Sequence, residues 1–461
     1  MNNRIASIDV LRGITIFLMI LSGSIGWGSG LPAWMFHCQV PPPDFVFNPD
    51  IKGITWVDLI FPFFLFSMGA SMPFSLGGKL KRGVSVGRVS LDIVKRWLTL
   101  AAFGLVLGNA GLIISTTDIP KVLLRLGIWL GMFLALWRVP DGKIKPLAVN
   151  LAGLVTVVAG LITEHLVFGA ELSVYSNNII IMILSCIALA GSFIWLLTRD
   201  RMWLRALILL LVCVFKEITW HSHTLDFLQF PKEISWLINW KYLQYLVVCI
   251  AGMTVGDVLR TARERQEILC RKPENIFSIA GALLGLVIIP LMLWAFYTRN
   301  IWAAANISVG FAVIYVLISR TSPTPTVIIS KLGYLLLVLG VMFDPIDGGI
   351  TKDHCNLSYM LSASGMACLL LGFLLWLEAL LASKSKKLLP HFALLGQNPM
   401  IAYTSPGFIV NPLFYLCGLG AIVDAASTGN PFMGIVRGLI VTIMMMAFTC
   451  IFSKKKIYWR T

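Results

Sequence analysis

Apolar blocks of roughly 17 to 25 residues recur along the whole chain, separated by short polar stretches. That is the length a helix needs to cross about 30 Å of hydrocarbon. Lipid offers no partner to an open backbone amide or carbonyl, so such blocks are forced into helices. The alternating strands that a barrel needs are not seen. Charged residues make up 13% of the 461 residues, against about 25% in an ordinary soluble domain. The blocks predict an all-α, polytopic bundle of about fourteen spans, near 8–30, 54–76, 94–115, 119–137, 146–166, 178–197, 202–217, 240–258, 276–297, 301–319, 327–343, 357–382, 397–421 and 432–453. Spans 202–217 and 327–343 are short, and losing an adjacent pair would give twelve. No soluble domain and no internal repeat fits between them, so residues 1–461 read as a single domain.

The net charge of +15 is explained by where the cations sit. Of 37 Lys and Arg residues, 28 fall in one set of alternate loops and 8 in the other, and Arg125 lies inside a block. The positive-inside rule puts the richer set, and with it both termini, in the cytoplasm. Topology therefore accounts for the charge, and nucleic acid is not an expected partner. The bilayer is, and a multi-pass protein of the cell inner membrane is the expectation. Residues 1–30 are of spanning length and carry Asp9 and Arg12 at their start, so they read as a retained helix and not a cleaved signal.

Charges inside a span cost at least about 2.5–3.5 kcal/mol and call for a partner or a function. Asp58 and Arg125 each lie a turn or two below the outer surface, where they neutralise each other or line a polar cavity. Asp9 and Arg12, three apart, share a helix face; they anchor the boundary or bind a ligand. Five of the six histidines fall on or near the outer side. Of these, His221, with His223 and Asp226, has a metal-compatible spacing but no clear further ligand, so no metal is expected. Cys38 and Cys355, in outer loops, are candidates for a disulfide.

Several segments resemble a family of membrane acyltransferases whose best-known member is heparan-α-glucosaminide N-acetyltransferase. Arg4-Ile5-Ala6-Ser7-Ile8-Asp9-Val10-Leu11-Arg12-Gly13 is similar to that family's R-x-x-S-(I/V)-D-x-x-R-G opening. His37 followed by Gly53-Ile54-Thr55-Trp56-Val57-Asp58-Leu59-Ile60-Phe61-Pro62 resembles its H…G-x-T-x-x-D-L-(V/I)-F-P stretch. Ile119-Pro120 with Leu124-Arg125-Leu126-Gly127, and Gly396-Gln397-Asn398-Pro399 through Tyr403, resemble two later motifs. The likeness is carried by 4–137 and 327–461, and the middle, 140–320, diverges. Pro41-Pro42-Pro43 lengthens the first outer loop, and Lys52-Gly53 replaces the family's Asn-Gly.

The resemblance implies N-acetyl transfer from cytoplasmic acetyl-CoA to a glucosamine-type amine at or beyond the outer face. It implies His37 as base, Asp58 orienting it or binding the ammonium, and Asn398 donating to the oxyanion. Trp56, Arg125, Asp9 and Arg12 are candidates for the substrate lining. CoA phosphates need Arg or Lys, and Lys81, Arg82, Arg88 and Arg96 of the inner 77–96 region are the candidates. With acetyl-CoA inside and His37 outside, a protein-lined cavity must carry the pantetheine arm inward. A small amino-sugar acceptor and a homodimer are compatible with this scheme. A transporter of amino sugars is the rival class, and the missing repeat counts against it.

Overall fold

Asparagine and proline set the helix starts. Asn178, Asn275, Asn300, Asn356 and Asn430 each precede a helix and accept a backbone N–H of its first turn, one of the donors a helix leaves unpaired. Pro120, Pro146, Pro325, Pro390, Pro399 and Pro431 occupy first-turn positions, where a missing N–H costs nothing. The computed structural model describes residues 5–111, 118–138, 145–221, 230–270, 272–319 and 324–459. Its helices are α1 (Ala6–Ser24), α2 (Trp56–Lys81), α3 (Val86–Asn109), α4 (Ile119–Leu136), α5 (Pro146–Phe168) and α6 (Ile179–Thr198). Next come α7 (Met202–His221), α8 (Trp240–Leu243), α9 (Leu246–Glu264), α10 (Ile276–Tyr297), α11 (Ile301–Ile318) and α12 (Pro325–Phe343). The last are α13 (Leu357–Ser383), α14 (Pro390–Gln397), α15 (Pro399–Ser405), α16 (Asn411–Leu416), α17 (Leu419–Ser427) and α18 (Pro431–Lys454). Among the described residues there is no strand, only one isolated bridge between Trp137 and Trp459.

The fold is all-helical and built for a membrane. Among the described residues eleven helices are long and apolar enough to cross, and a twelfth span results if α15–α16 and α17 are taken as one bent element. That is two or three fewer than the fourteen expected. Two of them, α3 and α7, form as helices but are too charged to meet that standard: α3 carries Arg88, Asp92, Lys95 and Arg96, and α7 carries Arg205, Lys216 and Glu217. The span expected at 397–421 is broken. Pro406 starts a π-helical turn, Pro406–Val410, and the chain bends by 93° before α17. Proline removes a helical N–H and crowds the preceding turn, and three prolines in fourteen residues (Pro399, Pro406, Pro412) leave no long regular ladder.

Helices α2, α9 and α13 are largely buried. Van der Waals fit drives association where lipid competes equally for apolar surface, and small residues allow it. Gly69 lies against the backbone of Cys249, and Gly252 and Gly256 of α9 lie against Phe66 and Ala70 of α2. The short α14, not foreseen from the apolar blocks, presses Gly396 on Asp9 and receives Gly13 of α1 against Phe392.

Loops that alternate in the sequence gather at opposite ends of the bundle. At one end Gly53 N–H donates to Ile350 at 2.8 Å, Arg299 pairs with Asp344 at 2.7 Å and Lys216 donates to the His354 carbonyl. At the other end Ser7 N–H donates to Glu378 at 3.0 Å, Lys81 pairs with Glu264 at 2.7 Å and the buried Arg205 with Asp257 at 2.7 Å.

The α1–α14 crossing is testable. A Cβ at Gly396 would collide with the Asp9 backbone, so Gly396→Ala is expected to destabilise by about 1–3 kcal/mol. Gly127, mid-helix in α4, has open space around it, and Gly127→Ala is expected to be neutral or to stabilise by up to about 1 kcal/mol. Thermal unfolding in detergent measures both; equal midpoints would contradict the crossing.

Candidate active site

The first site grows from the start of α2. Thr55 precedes the helix and Asp58 is its third residue, and the two form a capping box. Asp58 Oδ2 accepts the Thr55 N–H at 2.9 Å, and the Thr55 hydroxyl donates to the Phe36 carbonyl at 2.7 Å. The loop is thereby tied down to residue 36. Trp27, Phe36 and Phe45 pack on one another with centroids 5.0–5.6 Å apart, which fixes the loop from its other side. Both constraints deliver His37 to Asp58: the imidazole Nδ1 lies 2.7 Å from Asp58 Oδ1.

Asp58 is fully buried, and a buried carboxylate must be compensated. Cys38 N–H lies 3.4 Å from Oδ2. Lys352 Nζ reaches in from the 344–356 loop, 3.8 Å from Oδ1 and 3.1 Å from His37 Nδ1. The Tyr359 hydroxyl of α13 donates to the Asp58 carbonyl at 2.6 Å. With Nδ1–H donated to the carboxylate, Nε2 keeps its lone pair, and the ring is about a third exposed (36%). An imidazole oriented by a buried carboxylate, with its second nitrogen open, is a general-base arrangement. Trp56 opens α2 beside it, and its buried indole N–H has no partner among the described residues.

A second site lies deeper. Arg12 spans three elements: it is 3.6 Å from Asp9, donates to the carbonyls of Ser67 at 3.2 Å and Gly396 at 3.3 Å, and bonds the Ser71 hydroxyl. It borders a cavity of about 450 Å³, whose wall includes Arg96, Arg138, Ser75, Gln397 and Tyr458. Among the described residues three arginines and no acid stand in that wall. Phe64 and Ser71 of α2 also line it. At 1.5 Å per residue they stand about 9 Å and about 20 Å below Asp58 along the helix.

The remaining candidates are placed differently from expectation. Asn398 is not beside His37: its amide donates to the Ile457 carbonyl at 2.8 Å and its oxygen faces the Trp459 N–H at 3.4 Å, pinning the C-terminal segment. Arg125 does not neutralise Asp58: Lys352 supplies the opposite charge and His37 a hydrogen bond. Arg125 lies 5.0 Å over the Phe408 ring and faces the fully buried Glu164 of α5, whose carboxylate oxygens have no hydrogen-bond partner in the described structure. Of the phosphate candidates only Arg96 reaches the cavity; Lys81, Arg82 and Arg88 are exposed. His223 and Asp226 lie outside the described residues, as does Arg4. Lys352, Tyr359 and Arg138 were not singled out from sequence. Thr55-x-x-Asp58 carries a recognisable capping signature; nothing local marks Lys352.

The candidate Cys38–Cys355 pair is not bridged; both are free and buried. Burial, with Asp58 adding to it, pushes the Cys38 thiol up to about 12, and burial pushes Cys355 up to about 11. Neither is a nucleophile near neutrality.

Comparison with known proteins enters here. The chain matches, over residues 4–259, the family described as Domain of unknown function (DUF5009). It is 32% identical over 130 residues to heparan-alpha-glucosaminide N-acetyltransferase of Homo sapiens, a stretch covering 27% of this chain and 18% of that protein. With the Mus musculus protein of the same name it shares 30% over 131 residues, again 27% and 18%. The chain thus spans less than a fifth of the length of these curated relatives.

Cysteine labelling checks the site. At pH 8 iodoacetamide is expected to modify the exposed Cys417 and to spare Cys38 and Cys355. After unfolding without reductant, all three should label. Cys38 and Cys355 still unlabelled after unfolding would reinstate the bridge.

Proposed function

We propose that this chain, which belongs to the DUF5009 family and is a distant relative of heparan-alpha-glucosaminide N-acetyltransferase, transfers acetyl across the membrane from acetyl-CoA to an amino sugar. The observation that carries the proposal is the pairing of two half-sites along α2. An oriented imidazole stands at one end, and a cavity walled by Arg12, Arg96 and Arg138 opens below it. CoA is polyanionic, and guanidinium groups bind phosphate with charge-assisted hydrogen bonds. The end that collects the basic loops is the cytoplasmic one in this reading, as expected of an inner-membrane protein.

His37 Nε2 takes a proton from the acceptor amine, and Asp58 holds the resulting imidazolium in place. The amine nitrogen bonds to the thioester carbonyl, the C–S bond breaks, and the thiolate of CoA leaves. Lys352, not Asn398, is the cation near enough to His37 to stabilise the oxyanion formed on the way. Arg125 and Trp56 remain candidates for the acceptor's approach. The bent α15–α17 element is the one feature that suits a transporter of amino sugars instead.

Purified protein with radiolabelled acetyl-CoA and glucosamine tests this. Label should appear on the sugar, and His37→Ala should reduce the rate about 10²–10⁴-fold. Proteoliposomes that move glucosamine without acetyl-CoA, with no label transferred, would favour transport. Arg138→Gln is expected to raise KM for acetyl-CoA about tenfold or more with little change in kcat, the loss of one charge-assisted bond of about 1.5 kcal/mol or more; an unchanged KM would remove Arg138 from the CoA site.

A further inference from the structure

A second cavity, of about 330 Å³, lies apart from both half-sites between α10, α11, α12 and α13. It is formed by the N-terminal turns of α10 and α12, the last turn of α11 and residues 369–376 of α13, and it opens at the end of the bundle where Glu378 of α13 meets Ser7. Its mouth is polar, and Ser278, Thr326 and Ser330 add hydroxyls from within the helices. Lys272, Asn275, Ser319 and Thr324 belong to the segments outside or at the tips of the helices, while Phe373 and Trp376 belong to the body of α13. Among the described residues Lys272 is its one cation, and no acid lines it.

Three independent observations point to a ligand with a phosphate at one end and hydrocarbon at the other. The Ser319 hydroxyl lines the cavity, is 91% buried by residue (9% exposed) and has no hydrogen-bond partner among the described residues, a cost that a bound polar group would relieve. The helices α10 and α12 both turn their N-termini to the mouth, and the Thr324 side chain makes no cap bond, so helix-end amides and Lys272 favour an anion there. The flank itself is apolar and unburied: Phe277, Leu283, Val287, Leu317 and Ile328 are exposed on these helices, which is the surface a bilayer would cover. We propose that this cavity is a binding site for an anionic phospholipid, with the phosphate at Lys272 and Ser319 and an acyl chain against Phe373 and Trp376.

Gly285 provides the clean test, since a Cβ there meets its nearest atom, Leu369 O, at an ordinary 3.5 Å. A leucine at that position would fill the space without backbone conflict. Detergent-purified protein is equilibrated with phosphatidylglycerol and its retained lipid counted by native mass spectrometry. The wild type is expected to hold one lipid that survives excess glycerol 3-phosphate. Gly285→Leu should lose it, and Lys272→Gln, a surface change that does not threaten folding, should retain about fivefold less. Unchanged retention in both variants would overturn the proposal. Displacement by glycerol 3-phosphate would overturn the lipid as occupant and assign the site to a soluble phosphate ester. The outcome is independent of acetyl transfer, because neither variant touches His37 or the arginine-lined cavity.

Discussion

One buried carboxylate organises the end of the bundle where the proposed chemistry happens. Asp58 has no exposed surface, and removing one partner from a buried charge typically costs about 3–5 kcal/mol. Its partners come from everywhere: Thr55 from its own helix cap, His37 and Cys38 from the long first loop, Lys352 from a loop some three hundred residues on. Tyr359 fixes the backbone carbonyl of the same residue to α13. Satisfying that charge therefore folds two loops onto the tip of α2 and locks α2 to α13. The imidazole gains its orientation as a consequence of the same compensation.

The second requirement is distance. In the proposed reaction, CoA phosphates at the arginines near Ser71 and a base held by Asp58 would be separated by about 20 Å of α2, the interval the pantetheine arm must cover to bring the thioester to His37, with Phe64 on the intervening wall. The close crossings at Gly69, Gly252 and Gly256 keep α2 rigid against α9 over that interval. A rigid strut with a polar station at each end suits a reaction whose two substrates arrive from opposite sides. It also explains why Arg12 is clamped to three elements, since a loosely held guanidinium would not mark a fixed depth.

What the sequence makes legible follows from how local each signal is. Helix-forming blocks are local, and every expected span is at least partly helical. So is the capping relation of Thr55 to Asp58, and the nearby His37 meets it as expected. The charge content of α3 and α7 is equally plain in sequence, but alternation of loop charge masked its weight against an apolar span. The prolines at 399, 406 and 412 were visible too, yet the 93° bend arises from their combination with the turn at Gly418, a left-handed residue at φ 75°. Long-range pairings had no local mark. Lys352 looks like any loop lysine, Arg138 like a topology residue, and Asn398 like a polar lining residue, until the folded chain brings the first to Asp58, the second to the cavity and the third to the backbone of Ile457 and Trp459. Arg125 and Glu164 were both visible as charges; only packing of α4 on α5 shows that they face each other.

The central claim is that one reaction is divided between opposite faces of a membrane. Proteoliposomes with uniformly oriented protein test it, with membrane-impermeant acetyl-CoA on one side and an impermeant glucosamine-terminated oligosaccharide on the other. The account predicts acetylated sugar only when acetyl-CoA is on the face that bears the α1 N-terminus and the sugar is on the His37 face. Product formed only when both substrates share one face would contradict it.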